Sequence, residues 1–203
     1  MRKLLIPLLL FLSLSCKSET VLLTNSNHYF LDTEVSDFSV AMTLSTLQRL
    51  DKELPAGQPL YLVLKTPGGS VIAGMDLIRG VKHLSRPITT ISIQSISMGF
   101  QIVEALGDRL IVSDGIMMTH PIAGVCAGRP VQVSSCLDFM TQLADTLDVQ
   151  VAKRMNMSLA SYKAASSEEW FTVGQGAIDS NMADRIVTIK CDEEMNSKDR
   201  CPY

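Results

Sequence analysis

Three short segments of the sequence hold residue types that suit acyl-transfer chemistry. They contain a glycine pair, a serine and a histidine, and they are TPGGS (66–70), QSISMG (94–99) and MMTHP (117–121). A serine hydroxyl becomes a nucleophile when a histidine within hydrogen-bond distance takes its proton. The backbone N–H groups of a glycine turn can stabilise the negative charge that then develops on the substrate oxygen. Together the segments indicate a serine hydrolase, with Ser97 as the candidate nucleophile and His120 as its base.

Each of these residues has a structural alternative. Ser92 and Ser95 lie in the same stretch as the candidate nucleophile, and a serine at a strand-to-helix junction often does no more than cap the helix. The chain has three histidines. His28 lies near the start and His83 near the end of a predicted helix, so both suit solvent or core roles. His120 follows a predicted strand, where open α/β sheets form their ligand crevice.

The elements that must position these residues alternate between strands and helices. The predicted strands are short apolar stretches, and they span 28–31, 60–64, 88–93, 109–113, 116–118 and 185–189. The predicted helices have apolar residues at helical spacing or begin at a cap or glycine turn, and they span 38–50, 72–84, 98–106 and 137–155. A loop is predicted over 124–135. This alternation favours an α/β fold with a mainly parallel sheet in one domain, residues 28–190.

The overall composition fits a folded protein and argues against nucleic acid as the main partner. Hydrophobic residues make up 46% of the 203 residues and charged residues 19%, with a formal net charge of -3. A phosphate-binding surface needs concentrated lysine and arginine, and the chain has no basic run.

The first 16 residues differ in kind from the rest and predict export. A basic start, a short apolar run and small residues before Cys16 are typical of a secretory signal peptide. Cys16 resembles a bacterial lipoprotein site, which implies a lipid-anchored mature chain in the periplasm or on the membrane. Cleavage by an ordinary signal peptidase and an uncleaved anchor are the alternatives. Residues 17–27 are predicted as a linker and residues 191–203 as a charged tail.

Export affects how the remaining four cysteines are interpreted. An even number of cysteines in an oxidising compartment predicts disulfides, and four allow three pairings. The simplest pairing closes two short loops, Cys126 with Cys136 and Cys191 with Cys201. Free thiols are the alternative if the chain is not exported. No cysteine has CxxC spacing, so we expect neither zinc nor another cofactor.

In this order, the motifs resemble those of the proteolytic subunit of the Clp protease, a family within the crotonase-like group of folds. The matching segments are TPGG (66–69), AGM (73–75), QxxSMG (94–99) and MxxHP (117–121), and the resemblance extends over residues 30–189. It implies repeated β-β-α units around a mainly parallel sheet. It also implies that helix 137–155 is a protruding handle, which in that family interlocks two rings of subunits around a chamber.

The resemblance assigns a role to each candidate residue. Ser97 is expected to attack the scissile carbonyl, and His120 to take the proton and later give one to the leaving amine. The backbone N–H groups of Gly69 and Met98 are expected to form the oxyanion hole. Asp184 matches a further aspartate of the family and is expected to be structural.

The acid of the triad is where the sequence departs from the family, which has an aspartate before an aromatic residue and a serine or threonine. The corresponding segment here is SEEWFT (167–172). Alignment on Trp170 and Thr172 places Glu168 at the acid position, with Glu169 as the alternative. Glutamate serves as the acid in some triads. Both glutamates are otherwise explained as surface charges.

The sequence thus predicts a serine endopeptidase that acts through an acyl-enzyme on peptides or unfolded proteins, as a homo-oligomeric ring. An exported chain would work without ATP, because a periplasm supplies essentially none. The main alternative is a non-catalytic relative that binds or assembles. A thioester-hydrolysing relative and a serine–lysine signal-peptide peptidase are the less favoured possibilities.

Overall fold

Strands and helices alternate along residues 19–197 and 201–202, the part of the chain that the computed structural model describes. The strands are β1 Glu19–Leu23, β2 His28–Leu31, β3 Leu60–Thr66, β4 Ile88–Ile96, β5 Arg109–Thr119, β6 Trp170–Val173 and β7 Arg185–Cys191. The helices are α1 Asp37–Glu53, α2 Val71–Val81, α3 Met98–Ala105, α4 Pro130–Arg154, α5 Leu159–Ala165, α6 Gln175–Asp179 and α7 Glu193–Ser197.

One sheet contains all of these strands, in the order β1-β7-β5-β4-β3-β2, with β6 added to β5. Every neighbouring pair along that order is parallel, and β6 alone runs antiparallel to its partner. The α/β fold with a mainly parallel sheet is therefore confirmed. Because β3, β4 and β5 are adjacent and parallel, the segments that follow them meet at one edge of the sheet.

Side chains that alternate along the strands build a core on each face of the sheet. In β3, Leu62 and Leu64 point to the face covered by helices, where they pack with buried residues such as Phe100. Val63 points to the opposite face and joins a smaller cluster that includes Met195 of α7. The helical face holds the larger core, and it lies directly beneath the edge where the candidate residues collect.

Both ends of the domain differ from the prediction. β1 lies inside residues 17–27, which the sequence analysis assigned to a linker, and it pairs with β7. Val21 and Leu23 are buried, but this alternation is too short to stand out beside the polar residues around it. The predicted tail contains α7, and the Cys191–Cys201 disulfide closes it into a loop.

Two internal elements are longer than predicted. The strands predicted over 109–113 and 116–118 form one strand, β5, and the register shift relative to β4 absorbs the turn-forming pair Asp114-Gly115. Helix α4 begins at Pro130, inside the stretch predicted as a loop. Proline is well suited to the first position of a helix, so this residue was a start signal that apolar periodicity did not reveal.

Helix α4 protrudes from the domain over most of its length. Its 25 residues extend about 37 Å, and its buried residues, Leu147, Val151 and Ala152, lie in the C-terminal part. The Cys126–Cys136 disulfide, with an S–S distance of 1.99 Å, ties the preceding loop to its first turns. Among the described residues, no helix combines the length and apolarity needed to cross a bilayer.

Candidate active site

Ser97 lies at a sharp turn between β4 and α3. Its φ of 55° and ψ of -117° are angles that glycine usually supplies. The Ser97 N–H donates to the carbonyl of Met118 on β5 at 2.9 Å. The side chain makes no capping hydrogen bond to α3, so Ser97 does not serve as a side-chain helix cap. A strained strand-to-helix turn of this kind is how several hydrolases present a serine nucleophile.

The hydroxyl of Ser97 and the ring of His120 form a hydrogen bond. Ser97 Oγ lies 2.8 Å from His120 Nε2. The contact follows from the sheet, because β4 and β5 are adjacent and the two residues follow their ends. Ser92 and Ser95, the competing serines, are buried and bond to each other at 2.8 Å. The structure therefore brings the base to Ser97 and not to its neighbours.

The other two histidines lie away from this contact. His28 Nδ1 is 2.7 Å from the carbonyl oxygen of Thr24, and burial lowers the pKa of the His28 imidazole. His83 is exposed at the end of α2. Neither has a hydrogen bond with a serine in the described part of the chain.

The glycine turn after β3 packs directly against the Ser97 turn. A Cβ atom on Gly68 would lie 2.7 Å from the Cβ of Ser97 and 2.6 Å from the carbonyl oxygen of Ile96. The flanking groups are engaged, since Val35 N–H donates to the Gly68 carbonyl at 2.7 Å and Ser70 N–H donates to the Val35 carbonyl at 2.8 Å. Only a residue without a side chain fits this close approach.

Gly69 and Met98, whose backbone amides are the expected oxyanion donors, line the same small cavity as Ser97 and His120. The cavity has a volume of about 180 Å³. Within residues 19–197 and 201–202, neither amide donates a hydrogen bond to a protein group. Met98 is the first residue of α3, where a helix has no internal partner for its N–H and carries partial positive charge. Two amides without protein partners among the described residues therefore belong to residues that line the cavity beside the serine.

Tight packing holds the strained turn in place. A Cβ atom at Gly74 of α2 would lie 2.4 Å from the side chain of Met98, so α2 and α3 approach as closely as their atoms allow. A sparsely populated conformation costs about 1–3 kcal/mol and persists only when its surroundings enforce it. The contacts of Gly68 and Gly74 supply that enforcement at Ser97.

The structure does not join either candidate acid to His120. Glu168 and Glu169 are exposed in the segment before β6, and among the described residues neither forms a hydrogen bond with the imidazole. The last pair between β5 and β6 is Thr119 with Trp170. Continuing that register by one step sets Glu169 opposite His120, while Glu168 is one residue further along.

Asp184 lies at the other end of β5 and forms an ion pair there. Its carboxylate accepts from Arg109 Nη2 at 2.6 Å, and Arg109 also donates to Glu104 at 2.6 Å. Burial alone would raise the pKa of Asp184, but its hydrogen bonds with Arg109 outweigh that and lower it. This arrangement supports the expected structural role.

A scan against protein-family models places this architecture and site in a known context. The model described as Clp protease matches residues 14–190. The chain belongs to the Clp protease family. Three curated relatives are each called ATP-dependent Clp protease proteolytic subunit 2, from Prochlorococcus marinus strains MIT 9312, MIT 9313 and NATL2A. They are 24%, 26% and 24% identical over 163, 162 and 163 residues, which is 78% of this chain and 80%, 80% and 81% of theirs.

Membership of the Clp protease family confirms the resemblance drawn from the ordered motifs, and it makes this chain a relative of peptidases. Cys16 and the predicted leader lie outside the described residues. The structure contains the Cys126–Cys136 and Cys191–Cys201 disulfides, the simplest of the three possible pairings. No group of three or more histidine, cysteine, aspartate or glutamate side chains within the described ranges is arranged to hold a metal ion.

Sequence reasoning missed two residues next to this Clp-type site. Gln101 lines the same cavity, one helical turn after Ser97. Tyr162 of α5 is buried, its hydroxyl lies 2.8 Å from Thr119 Oγ1, and burial raises its pKa. The four-residue spacing of Ser97 and Gln101 on α3 was a usable signal. No local pattern points from Tyr162 to Thr119, because they are 43 residues apart.

Proposed function

We propose that this chain is a serine endopeptidase that cleaves peptides and unfolded proteins through an acyl-enzyme. The observation that carries the proposal is the 2.8 Å contact between Ser97 Oγ and His120 Nε2. Its position at a strained turn, beside two amides without protein partners, supports a nucleophile more than a structural serine. Membership of the Clp protease family makes a peptide bond the expected substrate.

The geometry supports a two-step reaction. As Ser97 Oγ attacks the carbonyl carbon, His120 Nε2 takes the hydroxyl proton, and the carbonyl oxygen gains charge near the N–H groups of Gly69 and Met98. The intermediate collapses, the C–N bond breaks, and the leaving amine takes the proton from His120. Water then attacks the acyl-enzyme with His120 as base, which releases the carboxylic acid and restores Ser97.

Labelling with a fluorophosphonate tests the nucleophile. The folded wild-type chain should be modified on Ser97, and Ser97→Ala should not be labelled. Ser95→Ala is the matched control, because Ser95 lies two residues away but bonds to Ser92, so it should be labelled like the wild type. Absence of label on the folded wild-type protein would favour the non-catalytic alternative.

We propose Glu168 as the group that orients His120, on its position in the family motif. The continued β5–β6 register favours Glu169 instead, so matched glutamine variants decide between them. Glu168→Gln should lower kcat by about 10³–10⁴-fold, as loss of the triad acid does elsewhere, and Glu169→Gln should stay within about twofold of the wild type. The reverse result would assign the role to Glu169, and two unaffected variants would leave a Ser97–His120 dyad.

We further propose that the chain works as a homo-oligomer, as the word "subunit" in the names of its relatives suggests. The exposed apolar side chains of α4 supply contact surface, with Val131 at 69%, Leu137 at 53% and Phe139 at 53% exposure. Light scattering of the wild-type protein should give a mass several times 22.2 kDa. Leu137→Glu with Phe139→Glu should reduce that mass, and an unchanged mass would exclude these two side chains from the interface.

We propose that the chain is exported, anchored through lipid on Cys16, and independent of ATP. Cys16→Ala should move the protein from the membrane fraction of a bacterial host to a soluble or unprocessed form. Purified protein should degrade an unfolded substrate such as casein at the same rate with and without ATP. A cytosolic location, or degradation that requires an added ATPase, would contradict this proposal.

A further inference from the structure

The cavity beside Ser97 has mostly apolar walls and one buried amide. Val71, Met98, Ile122 and Leu147 contribute apolar groups, and Gln101 lines the same space. Its volume of about 180 Å³ is below the roughly 300–1,000 Å³ of drug-sized ligand pockets. It is a space for one side chain next to the reacting serine, and we call it the Gln101 pocket.

Gln101 is buried but only half satisfied. The residue is 8% exposed, and its carbonyl oxygen Oε1 has no hydrogen-bond partner among the described residues. The amide does interact with Tyr162, whose hydroxyl in turn contacts Thr119. Buried acceptors without a donor are uncommon in folded proteins, and they tend to mark functional groups.

The position of Gln101 on α3 defines where a donor must reach. Four residues separate it from Ser97, which is about 6 Å along the helix axis. A substrate side chain that meets Gln101 must therefore extend several ångströms beyond the carbonyl that Ser97 attacks. The terminal torsion of glutamine is soft, so rotation about it can turn Oε1 toward an entering group.

Charge narrows the choice of side chain. Among the described residues, neither aspartate nor glutamate lines the Gln101 pocket, and burial of a lysine ammonium without a counter-charge is unfavourable. Serine and threonine are too short to span the distance. A neutral side chain with an apolar stem and a terminal N–H donor fits both conditions, and glutamine has that chemistry.

We infer that Gln101 is a specificity-determining residue that selects glutamine at the position immediately before the scissile bond. This inference rests on the proposed peptidase function and adds a substrate class to it. The substrate amide donates to Gln101 Oε1 while its methylene groups pack on Met98 and Leu147. A methionine at the same position has a similar shape but leaves the acceptor unpaired, which sites built for a hydrogen bond penalise strongly.

Two fluorogenic peptides that differ only in glutamine or methionine before the scissile bond test the inference. The wild type should cleave the glutamine peptide with a kcat/KM at least about 10-fold higher. Gln101→Met should invert that preference, because the pocket then lacks the acceptor. Gln150→Met is the matched control, since Gln150 lies on α4 outside this pocket and its buried amide nitrogen also has no partner in the described part of the chain.

The outcomes separate the two proposals. If Gln101 served only to support Tyr162, Gln101→Met would slow both peptides equally and the ratio would not change, which would overturn the inference. A wild-type preference for methionine would overturn it without any variant. Fluorophosphonate labelling of Ser97 without faster cleavage of the glutamine peptide would reject the inference alone. Absence of both label and cleavage would reject the peptidase function as well.

Discussion

Two strand-to-helix turns of this molecule have nearly the same backbone and different residues. Ser97, between β4 and α3, has φ 55° and ψ -117°, and Gly174, between β6 and α6, has φ 46° and ψ -111°. Each donates its N–H to β5, to Met118 in the first case and to Gly115 in the second, both at 2.9 Å. The two turns therefore flank the same strand, each through one backbone N–H donation, although β4 is parallel and β6 antiparallel to β5.

The residue at each turn, glycine in one and serine in the other, distinguishes what the backbone geometry needs from what the side chain adds. Glycine takes these angles without a Cβ penalty, so the turn at Gly174 needs nothing but its shape. Serine at the first turn carries strain of about 1–3 kcal/mol. Because Gly174 shows that glycine suffices for this geometry, the backbone of the turn does not require the serine side chain.

The largest effect is expected when the first turn is made like the second. Ser97→Gly keeps the turn and removes the hydroxyl, so kcat/KM for a peptide substrate should fall by about 10⁴-fold or more. Circular dichroism should show an unchanged fold. Activity within tenfold of the wild type would show that Ser97 is not the nucleophile.

The second turn should tolerate no side chain. A Cβ atom on Gly174 would lie 2.1 Å from the carbonyl oxygen of Ser113, so Gly174→Ala should lower the free energy of unfolding by about 3–5 kcal/mol, measured by urea titration. Gly57→Ala is the control, since Gly57 has φ +81° but no atom within 4 Å of a Cβ. It should cost about 1 kcal/mol. Equal costs would mean that backbone angle, and not the clash, dominates.

The helices that follow the two turns, α3 and α6, should differ in how they make the stability of the fold depend on pH. α3 carries Glu104, which is 2% exposed, and burial raises its pKa to about 8 against the attraction of Arg109. The one buried residue of α6 is Ala177. An unfolded glutamate titrates near pH 4.3, so between about pH 4.3 and 8 the folded chain holds the extra proton and stability falls as pH rises.

Glu104→Gln should remove that contribution. Between pH 5 and pH 8 the variant should gain on the order of 3–4 kcal/mol in unfolding free energy relative to the wild type. Urea titrations at both pH values measure the difference. Parallel stability curves for the two proteins would show that Glu104 stays charged through its ion pair.

The smallest effect concerns the strain itself. Ser97→Ala and Ser97→Gly both lack the hydroxyl, but alanine must hold φ at 55° and glycine does so freely. The glycine variant should have a free energy of unfolding about 1 kcal/mol higher than that of the alanine variant. This reverses the usual effect, in which alanine is the more stabilising of the two residues in a folded segment. Differential scanning calorimetry measures the stability of both variants. A more stable alanine variant would show that the backbone at residue 97 is not strained.

Local patterns predicted the parts of the fold that are decided locally. The apolar strands and the glycine turn gave the parallel sheet, and adjacent parallel strands bring Ser97 and His120 to one edge. The start of α4 was missed because its first turns contact solvent, so no buried apolar face marks where the helix begins. β1 was missed because its strand character depends on pairing with β7, which is distant in sequence.

Sequence reasoning could predict only those residues of the candidate site whose positions are set by the backbone of the sheet. Ser97 and His120 directly follow strand ends, so the sheet fixes them. Glu168 and Glu169 lie on an exposed segment, where no packing determines which carboxylate faces the imidazole. The four-residue spacing from Ser97 was the one sequence signal for Gln101, and its acceptor, which has no donor among the described residues, is visible only in the structure.

The backbone hydrogen bonds between Val35 and the glycine turn have a consequence for the order of folding. The site draws its backbone from segments around residues 35, 69, 97 and 120, and β6 completes the sheet beside it near residue 170. Contacts this far apart in sequence form late, after much loop-closure entropy has been lost. A chain still in synthesis therefore lacks the contact between Ser97 and His120, which forms only with the finished domain.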